Sequence, residues 1–317
     1  GRLDPIKGIY LFVIFKTKGL ALSLQPLILW GMEKIKKYIP FRKKAPQVGV
    51  IKLTGVIGAS GSFRKGLNLQ SIETFLQDAF SNKRITAVAL IINSPGGSPV
   101  QSDLIQKRIR DLSTEFQKPV FVFCEDVAAS GGYWIALAGD EIYANASSII
   151  GSIGVVSAGF GFKEAISKLG VERRIYSTGP NKGMLDPFVD EDPKHIERLK
   201  LLQDEIFTLF REWVLSRRGE KLNGTHEELF SGAFWTGIQA KELGLIDGLG
   251  DLREIMRNKF GDKVLFKEYA AKTGILSKLG LAGSSEFSLV TDAKINSLFS
   301  DAMEWIEQRV TWGRFGL

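Results

Sequence analysis

The sequence predicts an α/β protein whose largely parallel sheet is covered by helices. Three observations point there. From Val48 onward, short apolar runs alternate with stretches of helical period. One run, Ile85 to Ile92, is apolar at almost every position, as a strand buried on both faces must be. Another, Val120 to Cys124, empties through small residues into a helix, the strand-to-helix connection from which parallel sheets are built.

The elements follow in order. Val48 to Leu53 reads as a strand, and Thr54 to Gly66 as a loop rich in Gly and Ser. Ile72, Phe75, Leu76, Ala79 and Phe80 make one helical face, and after the strand Ile85 to Ile92 a second face comes from Leu104, Ile105, Ile109, Leu112 and Phe116. Val120 to Cys124 leads to a helix over Gly131 to Leu137, followed by short strands at Glu141 to Ala144 and Arg174 to Tyr176. Asp192-Pro193 opens an amphipathic helix whose inner face is read as Ile196, Leu199, Leu202, Ile206, Leu209 and Trp213. In sheets of this kind the chemistry gathers outside the carboxyl ends of the strands.

Composition sets the outer bounds. The chain has 317 residues, 44% of them hydrophobic, with a formal charge of +7. Residues 1–47 hold Arg2, Lys7, Lys16, Lys18, Lys34, Lys36, Lys37, Arg42, Lys43 and Lys44 against Asp4 and Glu33, so the remainder is close to neutral. That distribution argues against a nucleic-acid-binding body. Ile6 to Phe15 and Gly19 to Met32 are apolar runs parted by Lys16-Thr17-Lys18, each shorter than the ~20 residues of a spanning helix. With the cations and aromatics up to Lys44 they read as an interfacial anchor, giving membrane association through residues 6–44. Three regions are therefore expected: the basic N-terminal segment 1–47, a main domain 48–272 and a C-terminal helical extension 273–317, in which Ile295, Leu298, Phe299, Ala302, Ile306 and Val310 share a helix face. The single Cys124 excludes an intrachain disulfide and reads as a buried, inert thiol.

Two strand ends carry candidate chemistry. After Val120 to Cys124 comes Asp126-Val127-Ala128-Ala129-Ser130-Gly131-Gly132-Tyr133-Trp134, which lifts the Ser130 hydroxyl onto a helix N-terminus among small residues. Ser130 reads either as a nucleophile or as a plain helix cap. After Ile92 comes Asn93-Ser94-Pro95-Gly96-Gly97-Ser98; if that turn lies beside Ser130, the N–H groups of Gly97 and Gly131 form a two-donor pocket for an oxyanion. Ser94 and Ser98 are rival nucleophiles. The two histidines, His195 and His226, each open a charged helical turn and suit solvent better than a triad. A serine without histidine can use a lysine kept neutral by desolvation. Lys182, in the Gly- and Pro-containing stretch Ser177 to Phe188, is considered for that part, but a lysine in a loop ordinarily sits in solvent and its position alone does not single it out. No metal-ligand spacing, phosphate loop or dinucleotide fingerprint is present, so no cofactor or metal is expected.

Taken together, Asn93-Ser94-Pro95-Gly96-Gly97, Ala129-Ser130-Gly131-Gly132-Tyr133, Gly151-Ser152-Ile153-Gly154-Val155, Lys182 in its loop, Trp235-Thr236-Gly237-Ile238-Gln239-Ala240 and Gly244-Leu245-Ile246-Asp247 resemble the signal peptide peptidase A family of serine proteases, peptidase family S49. The resemblance runs from about Val48 to Phe266. It implies a Clp-protease/crotonase-like fold of repeated ββα units and a Ser/Lys dyad, with Ser130 as nucleophile and Lys182 as general base. It further implies that Ser152 hydrogen-bonds the lysine, that Gly97 and Gly131 are the oxyanion donors, and that the Trp-Thr-Gly stretch is a helical segment completing each protomer of a homo-oligomeric ring. The implied substrates are peptides, residual signal peptides or other hydrophobic membrane-associated segments, and the implied setting is the bacterial inner membrane. Two alternatives stand beside this: a crotonase-like acyl-CoA enzyme, which shares the oxyanion architecture but needs no Ser130, and a catalytically silent membrane scaffold.

Overall fold

The computed structural model describes residues 45–58 and 66–270. The proposed membrane segment 6–44 and the extension 273–317 lie outside the described residues. Three long strands form the centre: β1 (Gln47–Thr54), β2 (Ile85–Ser94) and β3 (Val120–Ala129), all parallel. β2 lies in the middle, and its side chains divide by the period of two. Val88, Leu90 and Ile92 enter one core with Ile51 and Leu53 of β1, while Ala87, Ala89 and Ile91 enter a second with Val48 and Val50. Both faces are covered, which is why the run reads as continuously apolar.

The larger core lies under α1 (Leu69–Ser81), α2 (Pro99–Phe116), α3 (Gly131–Ala136) and the second half of α5 (Pro193–Arg218). Local chemistry fixes where the first two helices start. Asn68 and Ser71 make a reciprocal capping box for α1, and Ser98 caps α2 with Pro99 in its first turn. Ile72, Leu76, Ala79, Phe80, Ile105, Ile109 and Leu112 are buried as the periodicity predicts, each aliphatic side chain contributing about 1.5–3 kcal/mol on burial. The second core is smaller; Met256 of α8 (Leu252–Phe260) packs there against Phe121 and Phe123.

β3 is where the sheet divides. Its first half, Phe121 to Cys124, pairs with β4 (Glu141–Ala144), and its last three residues, Val127 to Ala129, pair with β5 (Ile149–Gly151). Between them Glu125 and Asp126 are exposed, and the register against β2 jumps from Ile92–Cys124 to Ser94–Ala128. The remaining strands are β6 (Phe234–Thr236), antiparallel to β5, then β7 (Gly248–Leu249) beside β4, and β8 (Leu265–Tyr269) beside β1. The largely parallel α/β class expected from sequence is therefore the one observed, with β5–β6 as the antiparallel pair.

Three local expectations need correction. Arg174 to Tyr176 is exposed irregular chain rather than a strand and pairs with no strand among the described residues. It belongs to a stretch, 154–192, that carries the short α4 (Lys163–Lys168) and folds largely on itself through Phe162–Phe188 packing and the Arg173–Asp186 ion pair. In α5 the buried positions are Phe210, Val214 and Arg218, whereas Leu202 and Leu209 are 45% and 59% exposed. The covered stripe begins only at Phe210, so Leu202 lies before it, while Leu209 is turned away from it around the helix. Finally, Trp235-Thr236 is strand, and the helix α7 (Gly237–Glu242) starts only at Gly237, capped by Thr236 and Gln239.

Candidate active site

Ser130 stands where β3 ends and α3 begins, in the cap position, yet its side chain makes no capping hydrogen bond. The backbone explains this. At φ 51° and ψ −122° Ser130 is held in a conformation costly to a residue with a Cβ. Two main-chain bonds enforce it: the Ser130 N–H donates to the carbonyl of Gly151 in β5, and the Trp134 N–H donates to the carbonyl of Ser130. A bulged strand, a neighbouring strand and a helix together over-determine one strained residue, and its hydroxyl is left uncommitted and partly exposed.

The turn after β2 lies directly against it. A Cβ built on Gly96 would stand 2.8 Å from the Ser130 Cβ and 2.9 Å from the Gly131 nitrogen, and one built on Gly131 would stand 3.3 Å from the Gly97 nitrogen. The two glycine amides are thus neighbours beside the hydroxyl. The direction of the Gly97 amide follows from its pairing. Ile57 donates to the carbonyl of Gly96 and accepts from the N–H of Ser98, a parallel bridge that uses the residues flanking Gly97 and turns Gly97's own N–H to the other side. Gly97 takes φ 141°, and any side chain there would meet the Ile57 carbonyl at 2.2 Å. Gly131 is the first residue of α3, where an N–H has no partner inside the helix. Neither N–H donates to any group among the described residues. The amides of Gly97 and Gly131 therefore lie side by side next to Ser130, both unpaired among the described residues.

The rival serines are otherwise engaged. Ser94 is fully buried and its Oγ accepts from the Gly96 N–H, so it shapes the turn. Ser98 caps α2 through Gln101. Ser102 is also buried, its hydroxyl donating to the Ser98 carbonyl at 2.9 Å.

Ser152 follows β5 immediately, so it is one residue beyond the carbonyl that holds Ser130. It has φ 52°, is 9% exposed, and donates its N–H to Ala233 at 2.7 Å. Lys182 is in a different environment. It lies in the exposed stretch 154–192, with its N–H on the carbonyl of Gly179 and its amine free of hydrogen bonds and ion pairs among the described residues. Ser130, Gly97, Gly131 and the Ser152 backbone thus belong to one construction held by β2, β3 and β5, whereas no contact within the chain joins the Lys182 amine to Ser130. His226 is exposed and His195 partly so, as expected of solvated histidines. Cys124 is buried, which pushes its thiol up to about 12 and keeps it protonated and inert.

The base of the site is stiff. Trp134 of α3 stacks on Phe210 of α5 with centroids 4.6 Å apart, and Trp213 Nε1 donates to the Trp134 carbonyl. Arg218, 3% exposed, donates to the Gly244 carbonyl and pairs with Asp247 at 2.7 Å, and Tyr133 Oη donates to Leu245. Sequence reasoning missed the part played by Ile57, whose main chain frames Gly97. An apolar pair, Val56-Ile57, in a Gly/Ser-rich loop is the local signal, and it carries no information about a bridge to a turn some forty positions away.

A largely parallel α/β sheet here presents a strained serine, its hydroxyl without a hydrogen bond among the described residues, beside two amides likewise unpaired there, an arrangement of the kind acyl transfer uses. The comparisons narrow this further. The model of peptidase family S49 matches residues 113–265. A protein of Synechocystis sp. named a putative protease is 30% identical over 275 residues, covering 84% of this chain and 94% of that one. The Enterococcus faecium protein named putative signal peptide peptidase SppA is 31% identical over 211 residues, covering 66% and 60% respectively. A Brucella abortus protein named Na(+)/H(+) antiporter NhaA is 51% identical over 287 residues, which is 89% of this chain but only 39% of that protein. The chain thus spans well under half of that relative's length, and the name describes a much longer molecule. The chain belongs to peptidase family S49.

Proposed function

We propose that this chain is a serine endopeptidase in which Ser130 attacks the peptide carbonyl and Lys182 acts as the general base. The reading rests above all on one observation: Ser130 occupies a helix-cap position at φ 51° with its hydroxyl uncommitted, beside the unpaired N–H groups of Gly97 and Gly131. In the proposed reaction the neutral amine of Lys182 takes the Ser130 proton as Oγ bonds to the carbonyl carbon. The oxyanion is stabilised by the two amides, and the lysine then protonates the leaving amine as the C–N bond breaks. Water adds to the resulting ester by the same route and frees the serine. Ser152 orients the lysine.

The exposure of Lys182 supports a base supplied by a neighbouring copy of the chain in a homo-oligomeric ring. Val156, Phe160, Leu169, Val171 and Tyr176 on the same stretch are between 55% and 91% exposed, more apolar surface than a lone chain gains from displaying. A neighbour covering them would also strip water from the amine, the condition a lysine base needs. The substrates we propose are hydrophobic, membrane-associated peptides such as residual signal peptides, in keeping with the name of the Enterococcus relative and with a membrane-associating segment at residues 6–44. The test is a fluorophosphonate label located by mass spectrometry. It should fall on Ser130 in the wild type and be lost in Lys182→Ala; labelling elsewhere, or undiminished labelling of the Lys182 variant, refutes the dyad.

A further inference from the structure

Asn93, the penultimate residue of β2, is bonded to more of the site's framework than its place in a turn requires. Its carbonyl accepts from the Gly55 N–H at 3.0 Å, tying it to the end of β1. Its side-chain Oδ1 accepts from the Val127 N–H at 3.3 Å, and its Nδ2 donates to Asp126 Oδ2 at 2.6 Å. The amide orientation follows from these partners, because the reverse orientation would set an NH2 against the Val127 N–H. Asn93 therefore lies at the register jump between β2 and β3 and ties down the bulge at Asp126 and at Val127, where the strand resumes its pairing.

What hangs from each bond gives the residue its meaning. Two residues beyond Gly55 lies Ile57, whose main chain brackets Gly97. Three residues beyond Val127 lies Ser130, followed by Gly131. One oxyanion donor thus depends on the segment held by the Asn93 carbonyl, and the nucleophile with the other donor depends on the segment held by its side chain. Without the side-chain bonds the bulge, whose two residues are solvent-exposed, has no other described cross-strand tie at Asp126.

We propose that Asn93 is a positioning residue for catalysis: its side-chain amide, bonded to Asp126 and Val127, sets Ser130 and Gly131 relative to Gly97. This rests on the peptidase reading above. The polarity of the pair supplies the test. Asn93→Asp sets a carboxylate against the Asp126 carboxylate and should lower kcat about 10- to 100-fold with KM nearly unchanged, since a misplacement of about 1 Å costs rates of that order. The swapped pair Asn93→Asp with Asp126→Asn restores the bond between the two side chains with donor and acceptor exchanged, leaves the Val127 N–H donating to an oxygen at position 93, and should return kcat to within about threefold of wild type. Asp126→Ala, at an exposed position, should lose kcat in the same direction. Fluorophosphonate labelling of the wild type is run first. If Ser130 of the wild type does not label, the peptidase reading itself fails, and this inference with it. If it labels but Asn93→Asp keeps wild-type kcat, or the swapped pair, with a wild-type melting temperature, is no faster than Asn93→Asp, Asn93 does not position the site.

Discussion

Replacing Gly131 by Ala separates the stability of the site from its chemistry. Gly131 has ordinary helical backbone angles, so the new methyl brings no backbone strain. What it meets is Ser102 Oγ at 2.5 Å, Ile57 Cδ1 at 3.2 Å and the Gly97 nitrogen at 3.3 Å. The first contact is the severe one. Overpacking of this kind costs about 1–3 kcal/mol, or roughly 2–12 °C in melting temperature for a domain of this size. Ser102→Ala removes the obstructing oxygen. By itself that change forfeits the bond to the Ser98 carbonyl, which still accepts from the Ser102 N–H at 3.1 Å, so the loss should be about 1 kcal/mol or less. Gly131→Ala with Ser102→Ala should therefore recover most of the lost stability. Activity should not follow. The methyl still crowds the Gly97 amide, where an oxyanion must approach to about 2.7–3.1 Å, and loss of one such donor costs about 100- to 1000-fold in kcat. Thermal melts and peptide hydrolysis on the two single variants and the double variant decide the matter. A double variant that is both stable and fully active would show that the oxyanion does not bind between these amides.

Three further outcomes are expected. Mixing inactive Ser130→Ala protein with inactive Lys182→Ala protein and allowing subunits to exchange should regenerate hydrolysis if the base comes from a neighbouring copy; a mixture that exchanges yet stays inert argues for supply within one chain. Asp247 is pushed up by burial but pulled further down by Lys221, the Ile142 N–H and Arg218, so its folded carboxyl titrates below the ordinary carboxylate value. A depressed carboxylate stabilises fully above its unfolded pKa of about 3.9, and that contribution is lost as pH falls through the folded value. Asp247→Asn should accordingly flatten the acid limb of a stability–pH curve and cost about 3 kcal/mol near neutrality by leaving Arg218 without its counter-ion, as urea melts would reveal. Phe210→Ala removes the ring stacked on Trp134 and should cost about 3–5 kcal/mol, with a change in tryptophan emission; a melt within 1 kcal/mol of wild type would mean α5 does not brace α3.

Much of the fold is legible in the chain because its signals are local. Continuous apolar runs mark β2 and β3, and the periods of α1 and α2 name most of the buried faces, Leu104 being the exposed exception. The failures have a shared cause. Arg174 to Tyr176 has the composition of a strand but pairs with none among the described residues, and Leu202 and Leu209 have the spacing of a core face but lie, respectively, before the covered stripe of α5 and on another side of the helix. The short strands β5 to β7 carry too few residues for a pattern, and it is their neighbours that make them strands. At the site, small residues around Ser130 and the paired glycines of the preceding turn could be recognised, whereas Ile57 and Asn93 could not, since their roles lie in bonds to distant chain.

By itself the sequence determined the α/β class and the positions of β1 to β4, α1 to α3 and α5, and it offered Ser130 as a candidate nucleophile, because side-chain period and turn chemistry are properties of neighbours along the chain. Only the tertiary structure decided between Ser130 as cap and Ser130 as free hydroxyl. That choice is made by the Gly151 carbonyl, the bulge in β3 and the Gly96 turn pressing on one residue from three directions, and a backbone conformation imposed from outside leaves no mark in the residues that adopt it.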